Sequence, residues 1–314
     1  MAVSPTPEQG EYIQNTTLEK SVNGTSVPVT SGGNQLGVWM EILTMGIAVV
    51  GLLGNGMILW LLGFRIPRNP FSVYILNLAG ADALFLFSTF LLLLQEFVGY
   101  LQTPIYVVMV YVIPLAYSVG LSFLAAISTE RCLSVLFPLW YKCKRPEHTS
   151  ARACAALWAL AGLFWGSGYF YCVYVQKDPF CPVFFLVRST WFCLLTCVLC
   201  VASLTLVLRV QCSSQRRQPP RLYLLILLTV LVFLLCGLPL GIGGVMRRLG
   251  LDILPLRLVV FLASVNSSIN PFIYVFFGRQ KHRKGKEPLR AVIQRALWVE
   301  GRDTSPSRTT ETSF

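Results

Sequence analysis

The sequence predicts an all-α membrane protein, a seven-transmembrane helix bundle with a short amphipathic helix after the seventh span. Three observations lead there. The chain is 54% hydrophobic and only 13% charged, where an average soluble domain carries roughly 25% charged residues, and its mean hydropathy is +0.62. Seven apolar segments, each near the roughly 20 residues a bilayer demands, run approximately over 36–63, 70–96, 104–136, 151–175, 183–210, 221–247 and 255–277. Twenty of the 26 Lys and Arg fall in segments that alternate spanning places on one side. That is the positive-inside pattern, and it accounts for the net charge of +12 without a nucleic-acid partner. It puts the C-terminus in the cytoplasm and the N-terminus outside a plasma membrane.

Taken in order, residues 1–35 are polar and rich in Ser, Thr and Gly, an extracellular N-terminal tail. They lack the apolar core of a cleavable signal, so the first span directs insertion. Asn15-Thr16-Thr17 and Asn23-Gly24-Thr25 are glycosylation acceptors on that side. Residues 36–277 form the membrane domain, and its spans carry polar or helix-breaking residues in apolar surroundings: Asn55, Asp82, Trp158, Pro239 and Asn270-Pro271. Buried Asp82 needs donors, and Asn55, Asn266, Ser267 and Asn270 are the candidates. Pro239 and Pro271 each free a carbonyl and permit a kink. The third span ends in Glu130-Arg131, a pair too costly at a membrane boundary to be packing alone. Arg131 keeps its charge and five donors, and Glu130 is placed to hold it until another partner takes over.

Beyond Phe277, residues 278–298 place Leu289, Val292, Ile293, Ala296 and Leu297 at helical spacing with arginines opposite. That predicts an amphipathic cytoplasmic helix with its basic face toward anionic lipid. Residues 299–314 are a disordered cytoplasmic tail, and its end, Thr312-Ser313-Phe314, resembles a PDZ ligand. Most of the ten cysteines lie in apolar runs as packing residues. Only His148 and His282 are histidines, and no Cys/His spacing suits zinc. Nor does any constellation suit an enzyme. No internal repeat supports the rival reading of a channel or transporter.

The first-span Gly54-Asn55, the second-span Leu78, Ala81 and Asp82, Glu130-Arg131, Trp158 and the Asn270-Pro271-Phe272-Ile273-Tyr274 run together resemble a rhodopsin-like (class A) G-protein-coupled receptor over residues 36–298. The blocks ISTERCLSVLFPLWYKCKRP, WLLGFRIPRNPFSVYILNLAGADALFLFS, RLYLLILLTVLVFLLCGLPLGI and NSSINPFIYVFFG are similar to the Mas-related receptor family. The resemblance implies a receptor that transduces an extracellular ligand to a heterotrimeric G protein, in sensory or immune cells. It implies a coupling surface of Glu130, Arg131, Phe137, Pro138, Leu139 and Tyr274. The activation core it implies holds Asn55, Asp82, Pro239, Asn266, Asn270 and Pro271. With no Cys before Cys132, the usual bridge to the third span is replaced, on the Mas-related pattern, by Cys172–Cys181. No cofactor is expected. The family's sodium ion near Asp82 is weakened because Gly120 stands where a serine is usual. Gly237 replaces the usual sixth-span tryptophan and Cys132 the usual tyrosine, which keeps a constitutively active or ligandless receptor as an alternative.

The ligand class is read from the outer half. No acid lies between Glu96 and Glu130, and Ile113 sits at the depth where amine receptors hold one. No lysine lies between Lys177 and Lys281, which excludes retinal. The two acids of X-subfamily receptors that take cationic ligands correspond here to Gly168 and Phe185. Instead Arg188, Arg247, Arg248 and Arg257 cluster with Tyr169, Tyr171, Phe184, Phe185 and Trp191. The candidate ligand residues are therefore Gly168, Phe184, Phe185, Arg188, Trp191, Arg247 and Arg257, for a peptide or small amphipath bearing an anion. Headgroup anchoring is the other reading of the arginines at the helix ends, and Glu96, Asp178 and Asp252 are the acids that would neutralise them.

Overall fold

Seven helices of the computed structural model are long and apolar enough to cross a membrane: Gln35–Arg65, Pro70–Val98, Val107–Leu136, Thr149–Val173, Phe180–Arg209, Leu224–Arg247 and Leu256–Phe277. They are spans 1 to 7 below, and they fall on the expected segments with ends moved by a few residues. The structure describes residues 32–67, 69–98, 103–146, 148–175, 180–212, 220–251, 253–278 and 288–297. Asn15, Asn23, Asp178, Asp252 and Thr312–Phe314 lie outside them, as does the side chain of Arg248.

Span 2 packs along spans 1 and 3, span 1 along span 7, and span 3 along span 5. Lipid is as apolar as leucine, so close packing and interhelical hydrogen bonds must hold such a bundle. Phe123, Leu78, Leu199 and Phe233 fill its centre, while Leu53, Phe64, Leu163 and Phe276 stay on the outside. Small residues admit the closest approaches: a Cβ on Gly51 would overlap Ser268, whose hydroxyl donates to the Ile47 carbonyl at 3.1 Å. Asn55 Nδ2 donates to the carbonyls of Gly51 and Ser267, both at 3.0 Å, and so ties span 1 to span 7. Trp158 Nε1 donates to Asn77 Oδ1 at 3.1 Å, tying span 4 to span 2.

The irregularity expected at Pro239 lies one turn earlier. Phe233–Gly237 form a π-helical turn inside the continuous sixth span, and the carbonyl left without a helical partner by the missing Pro239 N–H falls within it, four to five residues earlier. Pro271 does sit inside its helix, as does Pro114 in span 3. Between spans 3 and 4 a short helix, Pro138–Cys143, begins the connecting loop. A further helix, Leu289–Leu297, is shorter than 278–298, and residues 279–287 are outside the described set. Its Val292, Ile293 and Ala296 are buried, and Ile293 joins the core that holds Ile273 and Tyr274.

Candidate functional site

At the end of the bundle where span 3 stops, which the sequence reads as the inner end, Arg131 is only 7% exposed, and its guanidinium lies over the Phe71 ring at 3.7 Å. Leu225 and Ile226 of span 6 and Tyr274 of span 7 are buried beside Phe71, around a space of about 10 Å³. That volume holds about one water, and the burial of all five side chains leaves this end of the bundle closed over Arg131. Phe137 and Leu139 on the second inner loop are 56% and 78% exposed, and Pro138 between them is exposed as well.

Glu130 has a partner that the sequence did not mark. Its Oε1 accepts from Arg145 Nη2 at 2.8 Å and from the Tyr74 hydroxyl at 3.2 Å. Arg145 Nη2 also donates to Ser150 Oγ at 2.6 Å, and its guanidinium lies 5.1 Å from the Tyr141 ring. Span 2, the foot of span 3, the loop after it and the start of span 4 thus meet around the Glu130–Arg145 pair. Burial opposes the charge of Arg145, but the hydrogen bond and charge of Glu130 outweigh it and raise its pKa. Burial, then the charge of Glu130, pushes the Tyr141 phenol up to about 12, so it stays neutral.

Midway along the bundle, among the residues expected to form an activation core, Asp82 is 4% exposed and accepts from Asn270 Nδ2 at 2.8 Å, with Ser267 as a second partner. Asn55 donates to backbone instead, and Asn266 lies against Gly237 of span 6. A Cβ on Gly120 would stand 3.9 Å from Asp82 Oδ1, so a serine there would bring a hydroxyl to the carboxylate and glycine does not. Asn270 turns its N–H to Asp82 as well. The oxygen cage a hard cation requires is thin here, and these residues fit sodium poorly.

At the opposite end of the bundle, four spans converge on Arg188. Its guanidinium lies 5.6 Å from the Trp165 ring of span 4 and 5.1 Å from the Phe185 ring beside it in span 5. Nη2 would be 3.3 Å from a Cβ on Gly244 of span 6, and the charge acts on Tyr111 of span 3. Tyr111 in turn meets Tyr169 edge-on at 5.2 Å. Neither Tyr111 nor Gly244 belongs to a motif, so nothing in the sequence singled them out. Arg188 therefore sits within the bundle mouth.

The other predicted ligand residues are placed differently. Phe184 is buried, stacks on Phe164 at 4.6 Å and would overlap any Cβ on Gly168. Trp191, 41% exposed, lines a groove of about 220 Å³ with Ser118, Ser122 and Leu160. Arg257 pairs through Nε with Glu41 Oε1 at 2.5 Å, its guanidinium against Gly37, where no Cβ would fit. Glu41 lies inside the first apolar run and its side chain is 7% exposed; an acid there was not foreseen as a partner. Glu96 is close enough to interact with both. Arg247 Nη2 donates to the Leu254 carbonyl at 3.2 Å. Cys172 and Cys181 form the expected disulfide, stapling the top of span 4 to the top of span 5.

Comparison with known proteins shows the family to which this bundle belongs. Residues 54–274 match the family described as 7 transmembrane receptor (rhodopsin family). The chain is 46% identical over 268 residues to the Mas-related G-protein coupled receptor member X2 of Hoolock hoolock, covering 81% of this chain and 82% of the relative. It is 45% identical over 271 residues to member X2 of Homo sapiens, covering 81% and 82%. With member X1 of Homo sapiens it shares 44% over 270 residues, covering 82% and 83%.

Proposed function

The chain belongs to the rhodopsin family of seven-transmembrane receptors and, within it, to the Mas-related G-protein coupled receptors, and from that premise we propose that it answers amphipathic anions through Arg188. It is a multi-pass membrane receptor and not an enzyme. The observation that carries the ligand reading is the convergence of spans 3, 4, 5 and 6 on that guanidinium. Aromatic neighbours lower the local dielectric, which strengthens charge-assisted and often bidentate bonds to a carboxylate, sulfate or phosphate. The place where an acid would receive a cationic ligand is Gly168, and it is closed by the Phe184 ring.

Ligand binding shifts the population toward an arrangement whose inner end is open. Span 6 carries Leu225 and Ile226 away from Phe71, and Arg131 becomes available to the C-terminal helix of a Gα subunit. The exposed Phe137, Pro138 and Leu139 flank that surface, and Tyr274 joins it once uncovered. In this reading the N-terminal tail is extracellular, with glycans on Asn15 and Asn23, and the C-terminus is cytoplasmic, where Phe314 meets a PDZ domain. The basic face of Leu289–Leu297 lies on the inner leaflet, and the receptor serves sensory or immune cells.

The test is a second-messenger screen of cells expressing the receptor against anionic amphipaths, polycationic peptides and neutral lipids. The expected result is activation by the anionic set at lower concentration than by the others. A receptor that answers only the polycations contradicts the ligand reading.

A further inference from the structure

The sixth span has no tryptophan at Gly237, and the space that one would fill is taken. A Cβ on Gly237 would overlap the Phe233 ring and stand 3.3 Å from Asn266. What reaches Gly237 instead comes from span 3: the Tyr117 hydroxyl donates to the Gly237 carbonyl at 3.0 Å. The Gly241 N–H, the amide that a regular helix pairs with that carbonyl, is near enough to act on the phenol. The phenol is thus wedged beside one rung of the span 6 backbone, immediately after the π-helical turn Phe233–Gly237.

The ring is held there from two sides. Phe192 of span 5 stacks on Tyr117 with centroids 6.3 Å apart and planes at 28°, and Phe85 of span 2 lies 6.5 Å away. Glycine at 241 is required for this approach, because a Cβ would overlap the Phe192 ring. One helix therefore bears Gly244 facing Arg188, the rung at Gly237 and Gly241, and the inner seal of Leu225 and Ile226.

We propose that Tyr117 is the positioning residue of span 6: its hydroxyl, bonded to the Gly237 carbonyl, is a latch that holds the inner end shut and releases on activation. The bond exists in the closed arrangement and is lost when span 6 moves, so it stabilises the closed arrangement alone. Removing it tips the balance toward opening without any ligand, which separates this inference from the anion reading.

The test is basal nucleotide exchange on G protein by membranes containing equal amounts of receptor, with no ligand added. Tyr117→Phe keeps the ring packing and deletes the donor, and one net hydrogen bond corresponds to about a fivefold rise in basal exchange. Substituting a ring-fluorinated tyrosine at 117 keeps ring and hydroxyl, makes the phenol a stronger donor, and should lower basal exchange. Opposite signs from the two variants support the latch. Unchanged exchange in both, or movement of both in one direction, overturns it. If Tyr117→Phe fails to reach the surface, the fluorinated receptor decides alone, since a merely structural tyrosine would not respond to donor strength.

Discussion

Replacing Arg145 with alanine should weaken the receptor more than loss of a loop residue ordinarily does. Arg145 and Glu130 side chains are only 10% and 14% exposed, and the guanidinium serves Ser150 as well. Removing one partner of a fully buried ion pair costs roughly 3–5 kcal/mol, whereas an exposed pair contributes about 0–1 kcal/mol. Glu130 retains the Tyr74 hydroxyl at 3.2 Å after the change, which lowers the penalty. About 2 kcal/mol is then expected for Arg145→Ala, and about half that for Arg145→Lys, whose ammonium keeps the charge but ends one bond short of the Nη2 position between Glu130 and Ser150. Ser150→Ala should cost least, roughly one neutral hydrogen bond. The assay is thermal unfolding of the detergent-solubilised receptor, read as a Tm series. An alanine variant as stable as the unmodified receptor would refute the reasoning, as would a lysine variant as damaged as the alanine one.

Further outcomes follow from the same geometry. Arg131→Ala should abolish G-protein activation at near-normal surface expression; full signalling by a well-expressed variant contradicts its role in coupling. Cys172→Ser and Cys181→Ser should impair surface expression equally, and the double variant no further, because either change breaks the same bond; clearly unequal single variants count against this. Arg257→Ala should leave anion potency within about twofold, since that guanidinium is committed to Glu41 at 2.5 Å, while lowering stability by leaving a buried acid without its cation. A loss of anion potency as large as that of Arg188→Ala would show that the pairing with Glu41 has been misjudged.

The seven spans and the Asp82–Asn270 contact were legible in the sequence because each rests on a local pattern or a motif. The Cys172–Cys181 bridge was legible only through the family resemblance. The pairings that depend on rotation of one helix against another were not. Glu41 reads as one polar residue in an apolar run until span 7 brings Arg257 to it. Arg145 reads as one more inner-side basic residue until the loop folds it under Glu130. Tyr117, Tyr111 and Gly244 have ordinary neighbours in sequence, and their roles come from facing Gly237 and Arg188 across the bundle. Gly168 was noticed for the acid it lacks, yet its structural importance is the room it leaves for the Phe184 ring.

The claim that Arg188 receives the anionic group of the ligand is tested most directly by concentration–response curves for one anionic agonist on the unmodified receptor, Arg188→Lys and Arg188→Ala. A lost charge-assisted bond in a desolvated site costs roughly 2–5 kcal/mol, and about 1.4 kcal/mol is a factor of ten. Potency should therefore fall at least tenfold for alanine, and less for lysine, at matched surface expression. Unchanged anion potency in Arg188→Ala, together with strong activation of the unmodified receptor by polycationic peptides, would contradict the claim and leave Arg188 as a structural residue of the bundle mouth.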